Sequence, residues 1–173
     1  LDLLNAGNAS GSHAVSIPGS AGDEGVATTS TNMAQNGLDF AASSTVYGLE
    51  YHTAADFFAD GLSMSFSAST DNGADALSAD TYRTDSHVAI GATYVTDLGD
   101  TAVTLGGGIS QSDGSTSGTA VANDDGGFHI GISAVTGDLT VAAGFADGDK
   151  AGVGADQALE YKGEVTKIGV KYV

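Results

Sequence analysis

The fold is decided by residues 101–135, TAVTLGGGISQSDGSTSGTAVANDDGGFHIGISAV, in which two alternating segments flank a long polar region. Apolar residues of both segments fall at every second position: Val103, Leu105, Ile109, Phe128, Ile130 and Ile132. Because successive side chains leave a pleated strand on opposite sides, a period of two predicts β-strands. The Gly, Ser and Asp residues between the two segments predict a long loop.

The same alternation recurs along the chain from residue 45, with connections that are short and long in turn. Short connections are predicted near residues 53–61, 97–100 and 136–138, and long ones near 70–86, 111–127 and 147–161. The pattern predicts an all-β, antiparallel up-and-down meander of about seven strands over residues 45–173. Residues 1–44 are weakly patterned and predict a long acidic loop, with at most a helical turn near residues 2–5. Leu38, Phe40 and Ala42 are candidates for the start of a strand.

Composition excludes several classes of protein. The 173 residues carry 22 acidic and five basic side chains, a formal charge of −17, so a nucleic-acid partner is not expected. The chain has no cysteine, which excludes disulfides and Cys-based zinc sites. No apolar run approaches the roughly 20 residues that a membrane helix needs.

The residues on the two strand faces favour a transmembrane barrel over a soluble one. Opposite the apolar face lie mostly Gly, Ser, Thr and Ala, not the Lys and Glu typical of a soluble surface. Acidic residues are expected in loops and turns, with only Glu50 and Glu164 in strands. Aromatic residues near strand ends predict two membrane-interface belts: Tyr51, Tyr94 and Tyr172 on the short-turn side, Phe128 and Phe145 on the other. The alternative is that aromatic residues are simply common in strands.

Short turns at one end and long polar loops at the other are typical of bacterial outer-membrane barrels. A sheet edge cannot face lipid, so the sheet is expected to close. Seven strands are too few to close an outer-membrane barrel, and bacterial barrels of this kind have an even number of strands. An additional strand must therefore come from the first 44 residues or from sequence beyond this chain.

Several motifs resemble general-diffusion porins of the alphaproteobacterial, Rhodobacter-like kind. They are TVYGLEYHTAADFFADGLSMSFSAST, YVTDLGDTAVTLGGGIS, SAVTGDLTVAAGFADG and VTKIGVKYV, in residues 45–70, 94–110, 133–148 and 165–173. The resemblance implies a sixteen-stranded homotrimer in the Gram-negative outer membrane, surrounded by lipid and lipopolysaccharide, that passes small hydrophilic solutes by diffusion. It needs no cofactor.

The resemblance also implies a role for the first 44 residues. They stand where the family has its long acidic constriction loop, with Asp23 and Glu24 as constriction acids. On this mapping the chain is a central fragment covering roughly strands six to twelve of the family's barrel. The arginine-bearing N-terminal strands of the family are absent, and the chain ends in Tyr172-Val173 instead of the usual terminal Phe.

Candidate pore-lining charges lie on the small-residue face: Glu50, His52, His87, His129, Lys167 and Lys171. Opposed charges across a water-filled lumen orient solutes and set ion preference. The alternatives are inert wall residues for the histidines and local ion pairing for the lysines. Acidic residues of the loops are candidate Ca²⁺ ligands: Asp71, Asp75, Asp80, Asp85, Asp124, Asp125, Asp147 and Asp149. None has the spacing of a known calcium loop, so whether metal binds stays open.

Enzymatic activity is not expected, because no Ser, His and Asp set can be assembled from the sequence and Gly106-Gly107-Gly108 lies within a strand. Two other functions remain open. One is a small eight-stranded outer-membrane barrel acting as an adhesin or structural surface protein. The other is a secreted acidic β-protein that binds Ca²⁺.

Overall fold

A computed structural model describes residues 1–4, 8–18, 31–32, 48–70, 82–116, 122–151 and 160–173. A 3-10 turn in this part of the chain spans Gly11–His13. Its strands are β1 Asp2–Leu4, β2 Ser16–Ile17, β3 Thr31–Asn32, β4 Gly48–His52, β5 Leu62–Thr70, β6 Tyr82–Leu98, β7 Thr101–Thr116, β8 Ala122–Thr136, β9 Leu139–Ala151 and β10 Glu160–Tyr172. Among these residues no helix has the length and hydropathy needed to cross a bilayer. Residues 33–47, including the candidate strand start at Leu38, lie outside the described chain.

The strands β4 to β10 form one antiparallel meander of seven strands, each paired with its neighbours in sequence. This confirms the all-β class and the meander predicted from alternation. β1 pairs with the free edge of β4, with Leu3 opposite Leu49, and so adds an eighth strand. The predicted helical turn near residues 2–5 is therefore wrong at Asp2–Leu4, because the edge of β4 offers unpaired backbone groups to that segment. A separate small sheet joins β2 to β3.

The strands are longer than the alternation predicted, and this corrects the distribution of acidic residues. All three expected long loops are shortened, because β6 begins at Tyr82, β7 continues to Thr116, β8 begins at Ala122 and β9 continues to Ala151. Strands hold Glu50 and Glu164 as predicted, and also Asp2, Asp85, Asp97, Asp113, Asp124, Asp125, Asp147, Asp149 and Glu160. The ladder of backbone hydrogen bonds does not depend on side-chain polarity, so pairing continues where hydrophobic alternation has stopped.

Two hairpins are closed by the two-residue turns Gly99-Asp100 and Gly137-Asp138, as the sequence predicted. The glycines have φ of 64° and 55°, whereas neither aspartate has a positive φ. Glycine at the first central position with a negative φ at the second is the pattern of a type II′ turn, whose twist matches that of paired strands.

Replacing Gly137 with alanine is expected to lower the free energy of unfolding by about 1–2 kcal/mol, because a Cβ is strained in the left-handed region. Nothing lies within 4 Å of that Cβ, so strain alone causes the loss. Asp138→Ala is the matched control, since this neighbour already has a negative φ. Equilibrium urea unfolding followed by circular dichroism measures both variants, and equal losses would contradict the turn assignment.

Burial in the sheet is the reverse of that in a water-soluble protein. On the small-residue face Ser65, Ser110 and Ala142 are 2%, 6% and 1% exposed. On the other face Phe66, Ile130 and Ile168 are 51%, 58% and 74% exposed. Alternation had left open which side of the sheet is covered, and the covered side is the one with small and polar residues.

Candidate functional site

The small-residue face is covered by residues 8–18, called here the covering segment. Its 3-10 turn packs against β5, β6 and β7, and its strand β2 packs against β9 and β10. The segment therefore crosses the sheet from β5 to β10. An 11-residue stretch of main chain lies on the face that the sequence assigned to a pore lumen.

Glycines in the strands let the covering segment approach the sheet closely. A Cβ at Gly91 would collide with the backbone oxygen of Ala9, and one at Gly108 would collide with Ser10. Glycine within a strand commonly marks a place where another backbone comes near. The absence of side chains at these glycines leaves room for the backbone of the covering segment against the sheet.

At its C-terminal end the covering segment is held by apolar contacts. Val15 and Ile17, 5% and 2% exposed, form a cluster with Ala142 and Ala146 of β9. Val165 of β10 packs against the same cluster. These side chains are the main apolar core that the described residues contain, and they fasten the segment to the sheet.

At its centre the covering segment is held by a histidine between two hydroxyl groups. The Nδ1 atom of His13 lies 2.7 Å from Thr93 Oγ1, and its Nε2 atom lies 2.7 Å from Ser65 Oγ. The same Ser65 oxygen lies 2.8 Å from Nδ1 of His52. One serine hydroxyl therefore joins two imidazole rings, one from the segment and one from β4.

Further hydrogen bonds fix the N-terminal part of the covering segment. The backbone N–H of Ala9 donates to Ser67 Oγ at 2.9 Å. The Ser12 hydroxyl donates to Glu50 Oε1 at 3.2 Å. Nε2 of His129 lies 2.9 Å from the Ser10 carbonyl oxygen and 3.1 Å from its hydroxyl. Residues of β4, β5 and β8 thus bond to three positions of the segment, Ser12, Ala9 and Ser10.

Three of the predicted pore-lining residues, Glu50, His52 and His129, are brought together by these bonds. His52 Nε2 is 3.8 Å from Glu50 Oε1, and the His52 side chain remains 42% exposed. His87 lies on the same face but bonds to Ser112 Oγ of β7 at 2.7 Å. The sequence suggested isolated histidines, because residues 13, 52 and 129 are distant in the chain.

Among the other predicted pore-lining residues, the two lysines are described by the structure. Lys167 is half-buried and Lys171 is exposed, and both belong to β10 on the small-residue face. The constriction acids Asp23 and Glu24 lie outside the described residues. Their role stays a prediction.

Burial lowers the pKa of His13 below its ordinary value of 6.5, and the nearby His52 and His129 rings lower it further. Desolvation disfavours the charged imidazolium, and like charges add to that effect. The docked His13 ring therefore takes up a proton less readily than a free imidazole does.

Sequence reasoning did not single out His13, because its region lacks regular alternation. A signal was nevertheless present in the glycines at alternate positions of the strands, among them Gly106 and Gly108. In the sequence these glycines indicate the small-residue face of a barrel interior. The same glycine pattern also indicates a strand face against which another segment of backbone packs closely.

The predicted belt residues lie on the uncovered face. Tyr51, Tyr94, Phe128 and Tyr172 are exposed, and the half-buried Phe145 contacts Phe128 with ring centroids 5.8 Å apart. The short connection between β4 and β5 adds Phe57 and Phe58, each 64% exposed and packed edge to face.

The structure describes only part of the predicted set of calcium ligands. Asp71, Asp75 and Asp80 lie outside the described residues, and the remaining five lie in strands β6, β8 and β9. Within the described ranges, no group of three or more His, Asp or Glu side chains is placed to hold a metal ion.

The His52 ring connects Ser65 to Glu50, with Nδ1 2.8 Å from Ser65 Oγ and Nε2 3.8 Å from Glu50 Oε1, an arrangement that the sequence did not suggest. Ser65 is 2% exposed, and its oxygen already contacts two imidazole rings. A nucleophile must reach its substrate, so we assign this hydroxyl to the hydrogen-bond network that holds the covering segment.

No protein-family model matches this chain, and no curated protein or solved structure matches it either.

Proposed function

We propose that the sheet is part of a closed β-barrel in the bacterial outer membrane that surrounds a water-filled channel for passive diffusion of small hydrophilic solutes and ions. The single observation that carries the proposal is the reversed burial: apolar side chains are uncovered while serines and histidines are covered. A membrane barrel turns apolar side chains towards lipid and polar ones towards its interior.

The dimensions of the uncovered apolar face fit a bilayer. Its outward residues on β8 run from Phe128 towards the turn after Thr136. At about 3.4 Å per residue this is about 27 Å along the strand, or about 21 Å across a membrane at a tilt of about 40°. Phe128 of β8 is paired with Asp147 of β9, which is paired in turn with Glu164 of β10. These two acidic residues end the apolar band on the side of the long loops.

The covering segment supports a wide barrel. In an eight-stranded barrel, side chains alone fill the interior. Here residues 8–18 add main chain against β5 to β10. This placement agrees with the constriction loop of the porins that the sequence resembles, and favours a barrel with more than the eight strands of the sheet. A sixteen-stranded homotrimer embedded in lipid and lipopolysaccharide is the arrangement that we propose.

The eight strands of the sheet are the observation that favours a second candidate, a small surface barrel without a pore. Such a barrel would require β1 to pair with β10, and among the described residues β1 pairs with β4 alone and β10 with β9 alone. It would also have to accommodate the covering segment inside. We therefore rank the channel first.

The test is to purify the natural full-length protein in detergent and add it to a planar lipid bilayer. A channel predicts stepwise, ohmic conductance increments, whereas a small plugged barrel inserts without them. A protein that stays monodisperse without detergent and never enters the bilayer would overturn the membrane assignment altogether. Heat-denatured protein added under the same conditions is the control.

A further inference from the structure

The bonds of His13 make the attachment of the covering segment sensitive to protons. The Ser65 hydroxyl lies within 2.8 Å of a nitrogen of both His13 and His52. A hydroxyl has one hydrogen to donate, so it satisfies two neutral rings by donating to one and accepting from the other. When both rings are protonated, two cations face the same oxygen, and the hydroxyl hydrogen loses its ring acceptor.

The surroundings of His13 offer little compensation for a positive charge. The titratable groups that face the ring are His52 and Glu50 of β4 and His129 of β8. β5 and β6 present the hydroxyls of Ser65 and Thr93, and β7 presents Gly106 and Gly108. Glu50 lies beside His52, 3.8 Å from its Nε2 atom. Both ring bonds of His13 go to neutral hydroxyls.

We propose that the covering segment is an acid-released latch: protonation of His13 detaches residues 8–18 from the inner face of the sheet. Hydrogen bonds at Ala9, Ser10 and Ser12 hold the docked latch in register, and Val15 and Ile17 add apolar contacts with β9 that are lost with them on release. The latch does not depend on channel activity, because detachment is measured on the segment itself.

The direction of the pH dependence follows from the pKa of His13, which is lower in the docked segment than the ordinary value of 6.5. Above pH 6.5 the ring is neutral in both states, and docking has its full stability. As the pH falls below 6.5 the released segment binds a proton first, so docking weakens until the lower, docked pKa has been passed. Release is therefore expected in mildly acidic solution and docking at neutral and alkaline pH.

The test is a nitroxide spin label on Ser16→Cys, measured by electron paramagnetic resonance from pH 8 to pH 4 on the full chain in detergent. Ser16 is exposed within the segment, and the chain has no other cysteine that would react. The label is expected to be restrained at pH 8 and to become mobile, reversibly, below pH 6.5. A label that stays restrained from pH 8 to pH 4 would overturn the latch.

His13→Gln retains a polar amide that cannot take up a proton, and is expected to abolish the transition. His87→Gln is the matched control, because this buried ring bonds to Ser112 and not to the segment, and the transition should persist. The same transition in His13→Gln would overturn the proposal. If the label in the His13→Gln variant is mobile at every pH, the His52→Gln variant provides the deciding measurement. Removing this ring, which lowers the pKa of His13 in the docked segment, should move the midpoint to lower pH, and an unchanged midpoint would also overturn the latch.

Discussion

Replacing Ile130 with arginine is expected to lower the free energy of unfolding from a lipid bilayer by about 2–4 kcal/mol, the cost of a cation at mid-membrane. Ile130 lies on β8 between Gly107 of β7 and Phe145 of β9, and is 58% exposed. Its surroundings are apolar on the uncovered face. If lipid covers that face, the guanidinium has no water within easy reach, and the cost is large.

Gln111→Arg is the matched control for this substitution. Gln111 faces the same side from β7 but is already polar and exposed, nearer the long-loop end of the strands. There the expected cost is about 0–1 kcal/mol, as at a membrane interface. Urea titration of protein folded into lipid vesicles gives both values. Since exposed substitutions in water usually change stability by less than about 0.5 kcal/mol, a near-zero effect of Ile130→Arg would contradict the lipid-facing assignment.

Replacing Ile17 with aspartate is expected to release the covering segment at neutral pH. Ile17 is 2% exposed, and its burial stabilises the docked segment by about 1.5–3 kcal/mol. A polar side chain at this position loses that stabilisation. Placing a carboxylate in the apolar cluster of Val15, Ala142 and Ala146 adds a desolvation cost. Together these shift the balance of docked and released segment by roughly a hundred-fold or more, since each 1.4 kcal/mol is about a factor of ten.

Limited digestion with proteinase K, mapped by mass spectrometry, reports this release. Cleavage within residues 8–18 is expected in Ile17→Asp, while circular dichroism shows an intact sheet. Ser16→Asp introduces the same charge at the adjacent exposed position and should remain protected. In a bilayer, the proposed channel should change its single-channel conductance in the first variant and not in the second. Equal protection of the two variants would show that the cluster does not hold the segment.

Alternation, turn residues and composition predicted the sheet from the sequence alone. The period of two around Ile109 and Ile130 defined the strands, and Gly137-Asp138 defined a hairpin turn, because these features act within a few residues of one another. Strand ends were predicted less well. Pairing between backbones carries Asp124 and Asp149 into strands where side-chain pattern no longer signals it.

Which face is covered, and by what, was decided only by the tertiary structure. The sequence alone determined an acidic antiparallel meander with one apolar and one small polar face. The contacts of His13 with Ser65 and Thr93 span 52 and 80 residues of chain, and no local pattern encodes such pairings. The close backbone approach at the strand glycines and the apolar cluster at Ile17 exist only when the sheet has formed, because each requires strands distant in sequence to lie side by side.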